Sequence, residues 1–185
     1  MKKILQSKEK VLRKLAKEVN IQDIKTPKIQ KILKEMSASL KSQDDGVAIA
    51  APQIGYSLRI FVVSGRIFGK DFINASLPSS DSPPSRQEKI KNSVFINPKI
   101  SKLSKEKAWV PEGCLSVRPL YGKTWRSVKA SIVAYNENGK KFERGASGLL
   151  AQIFQHETDH LNGILFTDHA KDIKSELPKT HESET

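Results

Sequence analysis

The sequence predicts one domain that mixes helix and strand, with each type gathered into its own stretch of chain. Three observations carry this. Ile29, Ile32, Leu33, Met36 and Leu40 fall at helical spacing near the start, and β-branched, apolar runs separated by turn residues occupy the middle. An apolar-sided helix then ends at Gly163. At 185 residues the chain suffices for one compact domain with a real core and is short for two.

Taken in order, two amphipathic helices are expected first, at about residues 8–19 and 27–40, both as packing elements. Residues 59–63 and 93–96 read as short, largely buried strands, bounded by Gly55 before the first and by Asn97 and Pro98 after the second. Between them, residues 75–85 are rich in Ser and Pro and cannot pack a core, so about 66–92 is expected to be a long surface loop. Residues 128–135 and 140–144 flank Asn136, Glu137, Asn138 and Gly139, a turn whose residues tolerate positive φ, and this predicts a hairpin. In the next helix Ser147 is the candidate N-cap, Leu149, Leu150, Ile153 and Phe154 give an apolar side, and Gly163 suits a left-handed C-terminal cap. A short helix over 168–177 and a frayed tail over 178–185 are expected to follow.

No apolar run approaches the roughly 20 residues that cross a bilayer, so no membrane partner is expected. Met1, Lys2, Lys3, Ile4 and Leu5 resemble the start of a signal peptide, but Lys8, Glu9 and Lys10 return charge before an apolar stretch develops. The expected location is cytoplasmic. One cysteine, Cys114, cannot form an internal disulfide, which leaves its thiol for chemistry. The formal charge is +12, and residues 1–42 hold 12 basic and 4 acidic side chains, a net of +8. Such a basic segment either keeps the protein in solution or attracts a polyanion such as RNA weakly and salt-sensitively. No aromatic-rich nucleic-acid motif accompanies it.

His156 and His160 lie four residues apart on the last long helix, so both imidazoles project from one face and can meet one ion. Glu157 lies beside them, within reach of a metal-activated water. The same stripe runs back through Leu149 and Ile153, which would wall the site with apolar groups and strengthen a metal's field. Catalytic metals typically take three protein ligands. Asp168, His169 and Glu176 are downstream candidates for the third, without the spacing of an extended zinc-peptidase motif. Cys114, beside Gly113, competes with them, and next to a site short of one ligand it is preferred.

Three stretches together resemble the signature motifs of the peptide deformylase family, in that family's order. They are Gly46-Val47-Ala48-Ile49-Ala50-Ala51-Pro52-Gln53, Glu112-Gly113-Cys114-Leu115-Ser116 and Gln155 to Gly163. The resemblance runs from Val11-Leu12-Arg13 to about Asp168 and treats 66–92 as an insertion. It implies a single catalytic domain over 1–168, with 169–185 as the short helix and tail. The implied fold is α+β, with antiparallel β-sheets packed around the C-terminal helix that carries the two histidines. The implied ligands of one divalent metal ion are Cys114, His156 and His160, with Glu157 as acid and base. Gln53 and the Leu115 backbone N–H are the implied donors to the developing oxyanion, and Gly46, Val47, Ala48, Gly113, Leu149, Gln152 and Ile153 line the substrate cleft. Ferrous iron is the implied cellular metal, with zinc, nickel or cobalt able to replace it. The implied substrate is the formyl-methionyl end of nascent polypeptides.

The chain departs from the family's pattern at three places. Ala48 stands where the first motif usually carries a second glycine, Gln152 occupies a position that is often apolar, and the Ser/Pro-rich insertion is unusually long. Glu112, Arg126 and Asp159 are charged residues in or near the motifs, and Arg126 is expected to pair with Glu112 and Asp159 behind the site. Two other functions compete: a related amidohydrolase with altered acyl or side-chain preference, and a basic ribosome- or RNA-binding protein with a degenerate site. The residues point to no particular oligomer.

Overall fold

The computed structural model describes residues 2–68 and 91–175. Pro27 opens the first long helix, α1 (Pro27–Lys41), where its missing N–H costs nothing. Ile29, Ile32, Leu33, Met36 and Leu40 are buried, as their spacing predicts. Strands β1 (Ala48–Ala50), β2 (Ile60–Val63) and β3 (Ser93–Leu103) follow. Then come β4 (Lys107–Gly113), β5 (Leu120–Ser127) and the hairpin of β6 (Lys129–Tyr135) with β7 (Lys141–Ser147). The second long helix, α2 (Gly148–Leu161), and strand β8 (Lys171–Ser175) complete the chain.

All pairings between these strands are antiparallel, in a five-stranded sheet ordered β1-β2-β3-β6-β7 and a three-stranded sheet ordered β4-β5-β8. Alternation within β2 explains the larger sheet's core. Ile60 and Val62 pack with α1, while Phe61 and Val63 pack with Phe154 and Leu161 of α2. Both faces of the strand are therefore covered, and its sequence reads as a continuous apolar run. Phe61 stacks on Phe95 at 4.5 Å between ring centroids, and Phe154 meets Phe95 edge-on at 5.3 Å. This aromatic cluster seats α2, and so the two histidines, against the sheet.

Three expectations from sequence are corrected. The helix expected over 8–19 is only a 3-10 turn, Lys10–Arg13, followed by extended chain. Leu12, Ala16 and Val19 are buried as a helix would bury them, but backbone bonds to distant segments hold them: Ala16 N–H to Leu161 O at 2.9 Å, and Lys17 N–H to Ser57 O at 3.0 Å. Tertiary pairing thus overrides local propensity. The second buried strand does not stop at Asn97 and Pro98 but continues to Leu103. Asn97 takes a left-handed φ of 51°, and its side-chain amide bonds both backbone groups of Val19, which lets the strand pass the proline through a break in register. The C-terminal segment is not a helix. After a 3-10 turn, Phe166–Asp168, it forms β8, because β5 has an unpaired edge and Asp172 at φ 53° interrupts any helix. The sequence pattern predicts neither β4 nor β5.

The base of the expected surface loop forms a 3-10 turn, Gly65–Phe68, while residues 69–90 and the tail at 176–185 lie outside the described residues. At the end of α2, Gly163 has φ 76°, as the cap reading required.

Candidate metal centre

Helix α2 and the end of β4 build the centre together. His156 and His160 project from one side of α2, and the turn after β4 brings in Cys114. One ligand atom from each lies within 4.8 Å of the others, and Cys114 Sγ is 3.1 Å from His160 Nε2. One thiol and two imidazoles suit zinc or ferrous iron, and three protein donors leave a position open. Of the downstream alternatives, Asp168 is taken by Arg13, His169 lies 4.0 Å from Asp159, and Glu176 is outside the described residues.

Behind the histidines lies a buried ionic network. Glu112 Oε1 is 2.5 Å from His156 Nδ1 and accepts from Arg126 Nη2 at 2.8 Å, while its Oε2 accepts from Arg126 Nε at 3.1 Å and from Thr124 Oγ1 at 2.6 Å. Arg126 also donates to Asp159 Oδ2 at 2.6 Å. Arg126 therefore meets Glu112 and Asp159, as expected. With Nδ1 committed to Glu112, His156 turns Nε2 toward the centre. Against the cost of burial, hydrogen bonds from His156 and Arg126 hold the Glu112 carboxyl well below the usual range. Burial also opposes charge on His156, but the Cys114 sulfur and Glu112 hold its imidazole well above the ordinary value. Burial and the neighbouring His156 push His160 well below it.

Glu157 has no such support. Its carboxyl is buried, Oε2 has no hydrogen-bond partner among the described residues, and burial pushes it up to about 7. A carboxyl in that condition exchanges a proton near neutral pH.

Gln53 is buried in the 3-10 turn after β1, Ala51–Ile54. Its Oε1 accepts from Ala50 N–H at 2.8 Å, which fixes the amide so that Nε2 points at Ser116 Oγ, 3.1 Å away, and at Cys114 Sγ, 3.6 Å away. Leu115 is held through its carbonyl by Gln6 Nε2 at 3.1 Å. A cleft of about 270 Å³ opens over the centre, lined by Gly46, Val47 and Ala48 and by Gly113, Cys114 and Leu115. Leu149, Gln152 and Ile153 of α2 also line it. Leu149 is 39% exposed, which corrects its expected burial beside Ile153. The Gln152 amide donates at 2.7 Å to the carbonyl oxygen of Pro111, another residue of the lining.

Sequence reasoning missed Thr124, Tyr121 and Arg118. Thr124 stands two residues before Arg126, so a strand over 120–127 would have put both on the Glu112 side. Tyr121 and Arg118 line the cleft, and a Cβ on Gly113 would come within 2.5 Å of the Tyr121 ring. That contact is the close approach for which Gly113 is needed.

The polypeptide deformylase family model matches residues 1–176. Peptide deformylase 2 of Clostridium acetobutylicum is 38% identical over 168 residues, covering 91% of this chain and 94% of that protein. A peptide deformylase from Legionella pneumophila has a crystal structure with TM-score 0.74 to this fold at 33% identity, covering 93% of this chain and 87% of that one. A class I type b peptide deformylase from Acinetobacter baumannii, crystallised with Met-Ala-Ser bound, gives TM-score 0.74 at 28% identity, over 91% of this chain and 98% of that one. With its motifs set in the same fold, the chain belongs to the polypeptide deformylase family, metal-dependent hydrolases that remove the N-formyl group from newly made polypeptides.

Proposed function

We propose that Cys114, His156 and His160 hold one divalent metal ion, ferrous iron in the cell and replaceable by zinc, nickel or cobalt, and that Glu157 moves the proton in hydrolysis of a formyl-methionyl N-terminus. The observation that carries this reading is the buried Glu157 Oε2, without a hydrogen-bond partner among the described residues, beside a cluster of one thiol and two imidazoles. When bound, such an ion supplies Lewis acidity that makes water nucleophilic near neutral pH. Glu157 takes a proton from the attacking water and returns it to the departing amine nitrogen, so water and formamide become formate and a free N-terminus. Gln53 Nε2 and the Leu115 N–H donate to the formyl oxygen as it becomes negative, each worth on the order of 3 kcal/mol of barrier. Neither adds a charge beside the metal. Glu112 orients His156, and Arg126 with Asp159 holds Glu112 in place.

The peptide runs through the cleft between Gly46–Ala48 and Gly113–Leu115, a reading supported by the Met-Ala-Ser peptide bound to the Acinetobacter baumannii relative. Ala48 adds a methyl group to the lining, and Gln152, its amide bonded to Pro111 O, leaves its apolar stem for the methionine side chain. Cytoplasmic location and a weak ribosome contact through the basic N-terminal residues fit a substrate that is still being made. Co-sedimentation with ribosomes that is already absent at low salt would reject that contact.

Protein purified without oxygen and loaded with iron is expected to release formate from formyl-methionyl peptides and to leave acetyl-methionyl peptides intact. Glu157→Ala is expected to lower the rate by about 10² to 10⁴ with metal content retained. No formate from the iron-loaded protein would overturn the reading.

A further inference from the structure

Both tryptophans of the chain lie on one face of the three-stranded sheet, opposite each other in register. Trp109 on β4 is 44% exposed and Trp125 on β5 is 49% exposed, with ring centroids 5.3 Å apart and planes tilted by 46°. A cross-strand indole pair helps a hairpin, but covering its outer side would remove more apolar surface from water. The surroundings are basic. Strand alternation places Lys107 and Lys123 on the same face, and the Lys171 ammonium lies 4.9 Å from the centre of the Trp109 ring. Lys174 pairs with Tyr121 in register, which adds a fourth amine. The nearby carboxylate, Asp172, is engaged by Lys123 at 3.3 Å.

We propose that this face binds single-stranded RNA, with bases stacking on Trp109 and Trp125 and phosphates meeting Lys107, Lys123, Lys171 and Lys174. Exposed aromatic rings on a sheet, flanked by amines, are what an unpaired strand needs: π-faces for bases of any sequence and charge for the backbone. A protein partner would favour fewer lysines, which are depleted at protein interfaces. The face meets the cleft only at its border, where Pro111 and Tyr121 belong to both. Bound RNA would lie beside the cleft and leave it open. This site draws on none of the basic residues at 1–42, and its existence does not depend on the deformylase reading.

Because the chain has two tryptophans and both are on this face, their own fluorescence reports its occupancy. Metal-loaded protein at low salt would be titrated with a short oligoadenylate, with inorganic polyphosphate, and with phosphatidylglycerol vesicles. The expected result is saturable quenching by oligoadenylate, none by polyphosphate, and unchanged formate release from a short formyl peptide. Affinity is expected to fall with salt at a log–log slope of about −0.7 per phosphate contact, and Lys171→Glu to reduce that slope by about one contact. Trp125→Leu should weaken binding about tenfold, and Lys107→Glu tests the face with both rings kept, in case loss of an indole loosens the hairpin. No quenching at low salt overturns the proposal. So does Trp125→Leu binding oligoadenylate as well as the native chain, which would make the attraction one of charge alone, or a blue shift with vesicles and no response to oligoadenylate, which would make the partner a lipid surface.

Discussion

Glu112 is a charged side chain in the interior, kept there by Arg126, Thr124 and His156. Removing one partner leaves an uncompensated buried charge, so Arg126→Ala is expected to destabilise the fold by about 3–5 kcal/mol in urea denaturation. The same change should weaken metal binding about 10-fold or more, since it frees the group that orients His156. Unchanged stability and metal content together would show the network to be idle. The carboxyl also sets an acid limit. Its folded value lies below the ordinary 4.5, so the ionised form stabilises the fold above that pH and the contribution is lost as pH falls below it. Metal-free protein should therefore weaken below about pH 4.5 more steeply than Glu112→Gln does, as followed by circular dichroism against pH. At this scale much was legible. Two histidines one helical turn apart, a glutamate between them and a cysteine flanked by glycine are local patterns, and so were the charges that became the Arg126 network. Thr124 and Ser116 were not, because a hydroxyl gains meaning only from the group that the fold sets against it.

At the scale of elements, α2 ends where Gly163 turns left-handed and touches the chain entering from the N-terminal side. A Cβ there would come within 2.8 Å of the Arg13 carbonyl group, in addition to the strain of φ 76°. Gly163→Ala is expected to cost about 2–3 kcal/mol, against about 1 kcal/mol for Gly139→Ala, whose φ is also positive but whose surroundings are open. Equal midpoints for the two variants in urea would show that backbone contact contributes nothing. Periodicity revealed α1, α2, β2 and the β6–β7 hairpin because each buries one side, or both, with short-range regularity. It failed for β4, β5 and β8, whose outward residues are lysine and tryptophan and whose inward ones include Gly122, Thr124 and Arg126. These strands exist through pairing with one another, and pairing is a property of register that single-strand patterns do not carry. The same cause hid the indole pair, since Trp109 and Trp125 are neighbours only once β4 and β5 align.

Across the whole molecule, the candidate metal centre joins the two sheets, alongside hydrogen bonds from Arg126 to Asp159, from Gln152 to Pro111 and between Ser127 and Gln155. Cys114 follows β4 of the small sheet, and His156 and His160 stand on the helix packed into the large one. Chelating the metal is expected to lower stability by about 4 kcal/mol relative to protein held at a thousandfold excess of ion over its dissociation constant. Amide exchange should then rise more in β4 and β5 than in β2 and β3; a uniform rise would mean that the ion does not couple the sheets. The N-terminal segment adds a different constraint. Leu5 N–H bonds Gln53 O, Lys17 N–H bonds Ser57 O and Ala16 N–H bonds Leu161 O, so this early stretch is fastened by residues far along the chain. During synthesis Leu161 emerges late, and a contact so distant in sequence closes slowly. The segment that meets the end of α2 through Ala16 must therefore wait, without that backbone partner, until Leu161 has been made.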